Sequence, residues 1–250
     1  PAGMSSVVQA SGGVTFHPAL GVDFSVDGYW DPMLRAVELS PLQRDIWDEV
    51  FAGPTDAAPQ VAAKVTQGSA LGMELLLRKS LGDRLTGWIS YSVQRSVRAA
   101  EGKDLPFALE QTHVLNAVVA WRLPGGWTLG GAVLLRSGAP EVGSLLASPT
   151  QVPGTDAAGA PAWVRAPVDQ VDRLPGLLRV DARASKAFDL DPLRLELWLD
   201  VYDISLGRDV LSFSYGTAID PGTGQRVLTK GANGLWYPLP MLGLRGAWKL

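Results

Sequence analysis

Residues 72–96 read GMELLLRKSLGDRLTGWISYSVQRS, and the fold turns on which side of this segment meets protein and which meets something else. Two alternating runs flank Gly82-Asp83, a dipeptide suited to a tight turn, so a β-hairpin is expected. Successive side chains of a strand point to opposite faces. One face then carries Met73, Leu75, Leu77, Leu85, Ile89, Tyr91 and Val93. The other carries Glu74, Arg78, Thr86, Ser90, Ser92 and Gln94. The apolar face is a protein core in a soluble β-protein and a lipid-facing surface in a membrane barrel.

Composition narrows the choice. The 250 residues fit one large all-β domain, taken here as 1–250. Charged residues make up 19%, below the roughly 25% usual in soluble domains, while 46% are hydrophobic. With 28 Gly and 18 Pro, the chain is rich in turns rather than in long helices. A net charge of −3 without a basic run gives no footprint for nucleic acid. The absence of cysteine excludes disulfides, thiolate zinc sites and thiol nucleophiles. No apolar run reaches the ~18 residues of a spanning helix, so a membrane would be crossed by strands. The opening PAGMSSVVQA lacks the pattern of a signal peptide and is expected to be a processed or excised start.

The same alternation recurs along the chain. Segments 5–17, 22–30, 64–98, 112–123, 127–138, 176–188, 193–204 and 241–250 yield about nine strands, antiparallel in meander order. Their connections alternate between tight turns and long loops, the latter near 39–63, 99–111, 139–175 and 205–240. Short turns at one end and long loops at the other are the layout of an outer-membrane barrel, with turns on the periplasmic side and loops outside. Soluble sandwiches instead distribute their Greek-key loops over both ends. In the first long loop, SPLQRDIWDEVFAGP (40–54) has a capping-box start at Ser40 and a Gly53-Pro54 stop, so a short amphipathic helix is expected there.

The polar faces weigh as much as the apolar ones. Leu193, Leu195, Leu197, Leu199 and Val201 alternate with Arg194, Glu196, Trp198, Asp200 and Tyr202. Leu178, Val180, Ala182 and Ala184 alternate with Arg179, Asp181, Arg183 and Ser185. Both signs of charge stand where neighbouring strands can pair them. That pattern suits a wet, charge-lined interior inside an apolar exterior. Trp88, Trp121 and Trp127 flank tight turns, as girdle aromatics do, although Trp88 has the polar-face parity. A soluble β binding module remains the alternative.

Four pieces of the chain resemble one known family. They are ALGVDFSVDGYWDPMLRAVEL (19–39), GSALGMELLLRKSLGDRLTGWISYSVQRS (68–96), PFALEQTHVLNAVVAWRLPGGWTLGGAVLLRSGAP (106–140) and the closing runs RVDARASKAF, LWLDVYDIS and LGLRGAWKL. Their order and spacing are similar to the C-terminal part of the β-barrel of TonB-dependent outer-membrane receptors. The resemblance covers about half of the residues, spread from 19 to 250. It implies an outer-membrane location of the Gram-negative type and uptake of a scarce nutrient of the siderophore, vitamin or glycan class. It also implies a larger barrel of about 22 strands closed by a plug, neither of which this chain supplies, with TonB reached only through that plug. The chain departs from the family in ending on Leu250, with Trp248 two places earlier, and in carrying Glu110-Gln111-Thr112-His113 where the family has Asp-Gln-x-His. A stand-alone small barrel or porin-like channel is the other membrane reading.

Candidate contacts follow. Glu74, Arg179, Asp181, Arg183, Arg194, Glu196, Trp198 and Asp200 face the lumen, where the resemblance places plug or small-molecule substrate; cross-strand ion pairing is their structural role. Trp47, Trp163, Trp236 and Tyr237 are the loop aromatics available to a ligand outside the cell. No enzyme is expected: His17 and His113 are the sole histidines, and no serine is placed beside either. Asp45, Asp48 and Glu49 sit at helical spacing, which suits a solvated face better than calcium, and GTGQR (222–226) reads as a loop turn rather than a phosphate loop. No cofactor or metal is expected.

Overall fold

The computed structural model describes residues 5–19, 21–39, 63–81, 84–100, 102–107, 109–141, 150–167, 170–235 and 238–248. The predicted helix at 40–54, with Trp47 and the acidic trio Asp45, Asp48 and Glu49, lies outside them, as do Trp236 and Tyr237. Among the described residues the protein is all-β, with one 3₁₀ turn at Pro124–Gly126.

The strands are β1 (Ser6–Val7), β2 (Ala10–Ala19), β3 (Val22–Leu39), β4 (Ala63–Leu81), β5 (Leu85–Ala100), β6 (Lys103–Pro106), β7 (His113–Leu123), β8 (Trp127–Arg136), β9 (Gln151–Thr155), β10 (Pro161–Arg165), β11 (Leu177–Leu190), β12 (Leu193–Tyr202), β13 (Asp209–Ile219), β14 (Arg226–Leu235) and β15 (Leu239–Trp248). One large antiparallel sheet runs β1-β3-β4-β5-β7-β8-β11-β12-β15, with β2 also on β3 and β6 on β5. Because β1 and β2 occupy the same side of β3 at different heights, the sheet has nine strand positions. This is the expected meander. The β4–β5 hairpin pairs Glu74 with Ser92 and Leu75 with Tyr91, so the register follows the predicted faces.

The long connections differ from expectation. They hold strands: β6 within 99–111, the hairpin β9–β10 within 139–175 and the hairpin β13–β14 within 205–240. Gly/Pro-rich spacing hid them, because GTDAAGAP and DPGTGQ are hairpin turns rather than structureless loops. In GTGQR, Gly224 adopts φ 68, and the Asp220 carboxylate accepts the Gly222 N–H at 2.7 Å. β3 also runs on to Leu39, well past the predicted end at Trp30.

Packing sits at one end. Among the described residues the buried apolar side chains are Val97, Pro140, Ala166, Leu174, Leu177 and Val210, all near the long connections. Along the rest of the sheet the apolar face is uncovered: Phe16, Ile89, Trp121, Leu197, Leu242 and Trp248 are exposed, Leu242 at 82%. A soluble domain buries such a face, because each large aliphatic side chain gains about 1.5–3 kcal/mol on leaving water. Charged residues of this parity stand only at its borders among the described sheet residues, Lys79 and Lys186 towards the short turns and Arg95 and Asp104 towards the long connections. Arg95 pairs with Leu71, and Leu71 to Lys79 is about 27 Å of strand at ~3.4 Å per residue. Tilted by ~40°, that spans about 20 Å, close to the apolar band of a membrane barrel.

Candidate functional site

The opposite face is polar and built from the wall strands. Arg183 and Asp200 are register partners on β11 and β12, and their Nη1 and Oδ2 atoms lie 3.2 Å apart. The Arg183 guanidinium also stacks 4.8 Å over the Trp198 ring. Four positions back along β11, Arg179 Nε lies 3.2 Å from Asp181 Oδ1 and its guanidinium lies 4.1 Å over Tyr202. Asp181 Oδ1 further accepts the Asp203 N–H at 2.9 Å where β12 ends. Each arginine is thus held between a carboxylate and an aromatic face, an arrangement that its planar, weakly hydrated cation favours.

These pairs place Arg179, Asp181, Arg183, Trp198 and Asp200 together as wall structure. Asp200 Oδ1 is buried with no hydrogen-bond partner among the described residues. Arg194 lies apart, 3.9 Å from Asp189 by the short turn, both largely exposed. Glu196 stands opposite Arg245 of β15 on the same face. Glu74 belongs to another region, opposite Asp27 in register. The two carboxylates border a cavity of about 210 Å³ with Ser25, Ser90 and Ser92. Nearby, Tyr29 reaches across β4 above Gly72, and its hydroxyl donates to Gln94 Oε1 at 2.8 Å. The polar face therefore has an arginine–aromatic region on β11–β12 and, on β3–β5, a serine-lined patch where Asp27 and Glu74 stand opposite each other.

A second assembly caps the long-connection end, and only part of it was legible beforehand. Trp163 of β10 turns its indole N–H to the carbonyls of Gly216 (2.9 Å) and Thr229 (3.1 Å), one on each strand of the β13–β14 hairpin. Its ring meets Tyr215 edge-on, with centroids 4.8 Å apart. Arg226 Nη1 reaches Asp156 Oδ2 at 3.2 Å, tying the two hairpin tips. The Asp156 carboxyl also accepts the Ala160 and Ala158 N–H groups, which with Arg226 hold it below the usual carboxylate range. Tyr215 donates its hydroxyl to the carboxylate of Glu141, at 2.7 Å from both oxygens. Glu141 is fully buried. Arg173 Nη2 pairs at 2.8 Å with Glu110, another buried carboxylate. Sequence reading named Trp163 but missed Glu141 and Tyr215, because Glu141 lies in no periodic run, Tyr215 falls within the expected long loop 205–240, and their partnership spans 74 positions.

His113 Nδ1 bonds Tyr91 Oη at 2.8 Å on the apolar-face parity while its backbone N–H donates to Ser137 Oγ at 3.0 Å, and His17 Nδ1 bonds Asp23 at 2.8 Å. Among the described residues, no group of three or more His, Asp or Glu could hold a metal ion.

No family model matches the chain, and no curated protein matches it by sequence. A solved structure does match in three dimensions: the ferric citrate transporter FecA in its unliganded form. The likeness is one of fold. It extends over 96% of this chain at a TM-score of 0.58 and 16% identity. The chain spans 31% of the length of that structure, folding like a fragment of its β-barrel.

Proposed function

We propose that the chain is a transmembrane wall segment of an outer-membrane, TonB-dependent transporter that takes up a small, scarce nutrient of the siderophore, vitamin or glycan class. One observation carries the reading: an apolar sheet face left uncovered over about 20 Å of height, fringed by Lys79, Lys186 and Arg95, with the ion pairs on the opposite face. In lipid, every backbone group must be paired within the protein, which an antiparallel wall achieves everywhere but at its edges. Among the described residues, β15 does not pair with β1 or β2, so further strands of the same receptor are the partners proposed at those edges.

In this role the segment is passive and performs no catalysis. The aliphatic face contacts membrane lipid. The long connections, capped by the two hairpins, face outside and take part in substrate capture. The polar face supports a plug, and coupling to TonB runs through that plug. Glu74, Arg194, Glu196 and the β11–β12 arginines are its proposed contacts, with Trp47, Trp163, Trp236 and Tyr237 those of the loops.

Refolding in detergent micelles tests the reading, with unheated and boiled samples compared by SDS gel beside a detergent-free control. Aggregation on detergent removal without a heat-dependent shift is expected of an open wall. A heat-dependent shift would instead favour a self-closing small barrel. A folded, monodisperse protein in plain buffer would overturn the membrane assignment.

A further inference from the structure

We infer that Glu141 and Tyr215 form a proton-operated clasp between the two long connections. The geometry comes first. Glu141 lies five residues beyond Arg136, the last residue of β8, and its backbone is pinned: its N–H donates to the Asp172 carbonyl at 2.7 Å, and its carbonyl accepts the Thr150 N–H at 2.9 Å. Thr150 Oγ1 adds a bond to the same carbonyl at 2.8 Å and accepts the Asp172 N–H at 3.0 Å. The side chain is therefore delivered to one place, where it has no access to water and meets the Tyr215 hydroxyl of β13. The residues it joins are far apart in sequence, and the contact locks the β9–β10 hairpin region against the β13–β14 hairpin.

The surroundings decide the protonation state. From β14, Lys230 faces the pair, but its ammonium is spread between the Phe213 ring (4.0 Å), the Tyr215 ring (5.2 Å) and Asp172 Oδ2 (3.7 Å). From the segment before β11, Asp172 adds negative charge, while Arg173 is turned to Glu110. Among the described residues, no cation is paired with the Glu141 carboxylate itself. Burial pushes its carboxyl above the ordinary value of 4.5; the Tyr215 bond and Lys230 pull the other way, and Asp172 adds to the rise. Burial likewise pushes the Tyr215 phenol well up, so it remains a donor throughout the accessible range.

The sign follows from linkage. The closed clasp binds the Glu141 proton more tightly than an open one, in which the carboxyl returns to its ordinary value. Closure strengthens by up to tenfold per pH unit as pH falls from the raised value towards 4.5 and is flat on either side. Acidification outside the cell would thus tighten the cap, and neutral or alkaline medium would loosen it.

Hydrogen exchange on the full chain, corrected for intrinsic rates, tests this between pH 4 and 8. Protection of peptides covering 150–167 and 207–235 should fall as pH rises, while peptides from β11 and β12 hold constant. Glu141→Gln keeps an acceptor for Tyr215 and removes the titration, so the pH dependence of these peptides should vanish. Tyr215→Phe removes the bond that stabilises the carboxylate, and the transition should move to higher pH. Equal pH dependence in wild type and Glu141→Gln, or none in wild type, would overturn the clasp. An unmoved transition in Tyr215→Phe would overturn it independently.

Discussion

Trp198 shows how tightly the polar face is laid. Its ring lies across Gly243 of β15, where any added Cβ would collide with it. Gly243→Val should therefore displace the indole from Arg183 and lower stability by about 1–3 kcal/mol, the range for overpacking; urea titration in micelles measures it. Removing Arg183 by Arg183→Ala should cost about 1–3 kcal/mol, since it strands Asp200, whose Oδ1 already lacks a partner. Arg194→Ala, in a pair open to solvent, should cost below about 1 kcal/mol. Glu74 carries the opposite expectation. It stands directly across from Asp27, like charge against like, and Glu74→Gln should stabilise by about 0.2–1 kcal/mol at neutral pH.

At the level of the strand, parity separates two adjacent leucines. Leu75 shares a face with Tyr91 and Val26 midway between the bordering cations, whereas Leu76 faces Ser25 and Ser90. In vesicles, Leu75→Arg should cost about 2–4 kcal/mol of folding free energy, and Leu76→Arg should be close to neutral. Equal costs would mean that the two faces do not see different solvents. Strand identity and register were readable because a period of two recurs over long runs and a slip of one residue would exchange the faces. The hairpins β9–β10 and β13–β14 escaped because β9 and β10 have only 5 residues each, while β13 and β14, at 11 and 10 residues, are interrupted by Gly and joined by a Gly/Pro-rich turn that reads as loop.

For the whole molecule, wall and cap differ in how their parts are joined. The wall strands follow one continuous ladder, whereas the two cap hairpins, each a ladder of its own, meet through side-chain bonds between distant segments, and Arg136 of β8 ties Asp209 of β13 to the wall. Trp163→Ala removes a donor shared by two carbonyls and a ring packed on Tyr215. Hydrogen exchange should show loss of protection across 150–167 and 207–235, with the wall strands unchanged. Concurrent loss in β11 and β12 would show that wall and cap fold as one unit.

Local chemistry was thus enough to specify an all-β meander, its facing pattern and its alternation of short and long connections, since each depends on neighbours two positions apart or across a tight turn. The partnerships could not be read in that way. That Arg183 takes Asp200, that Trp163 serves two carbonyls of another hairpin and that Glu141 is buried against Tyr215 depend on where distant segments come to rest. Burial and hydrogen-bond geometry are properties of that three-dimensional arrangement, and no periodicity in the chain encodes them.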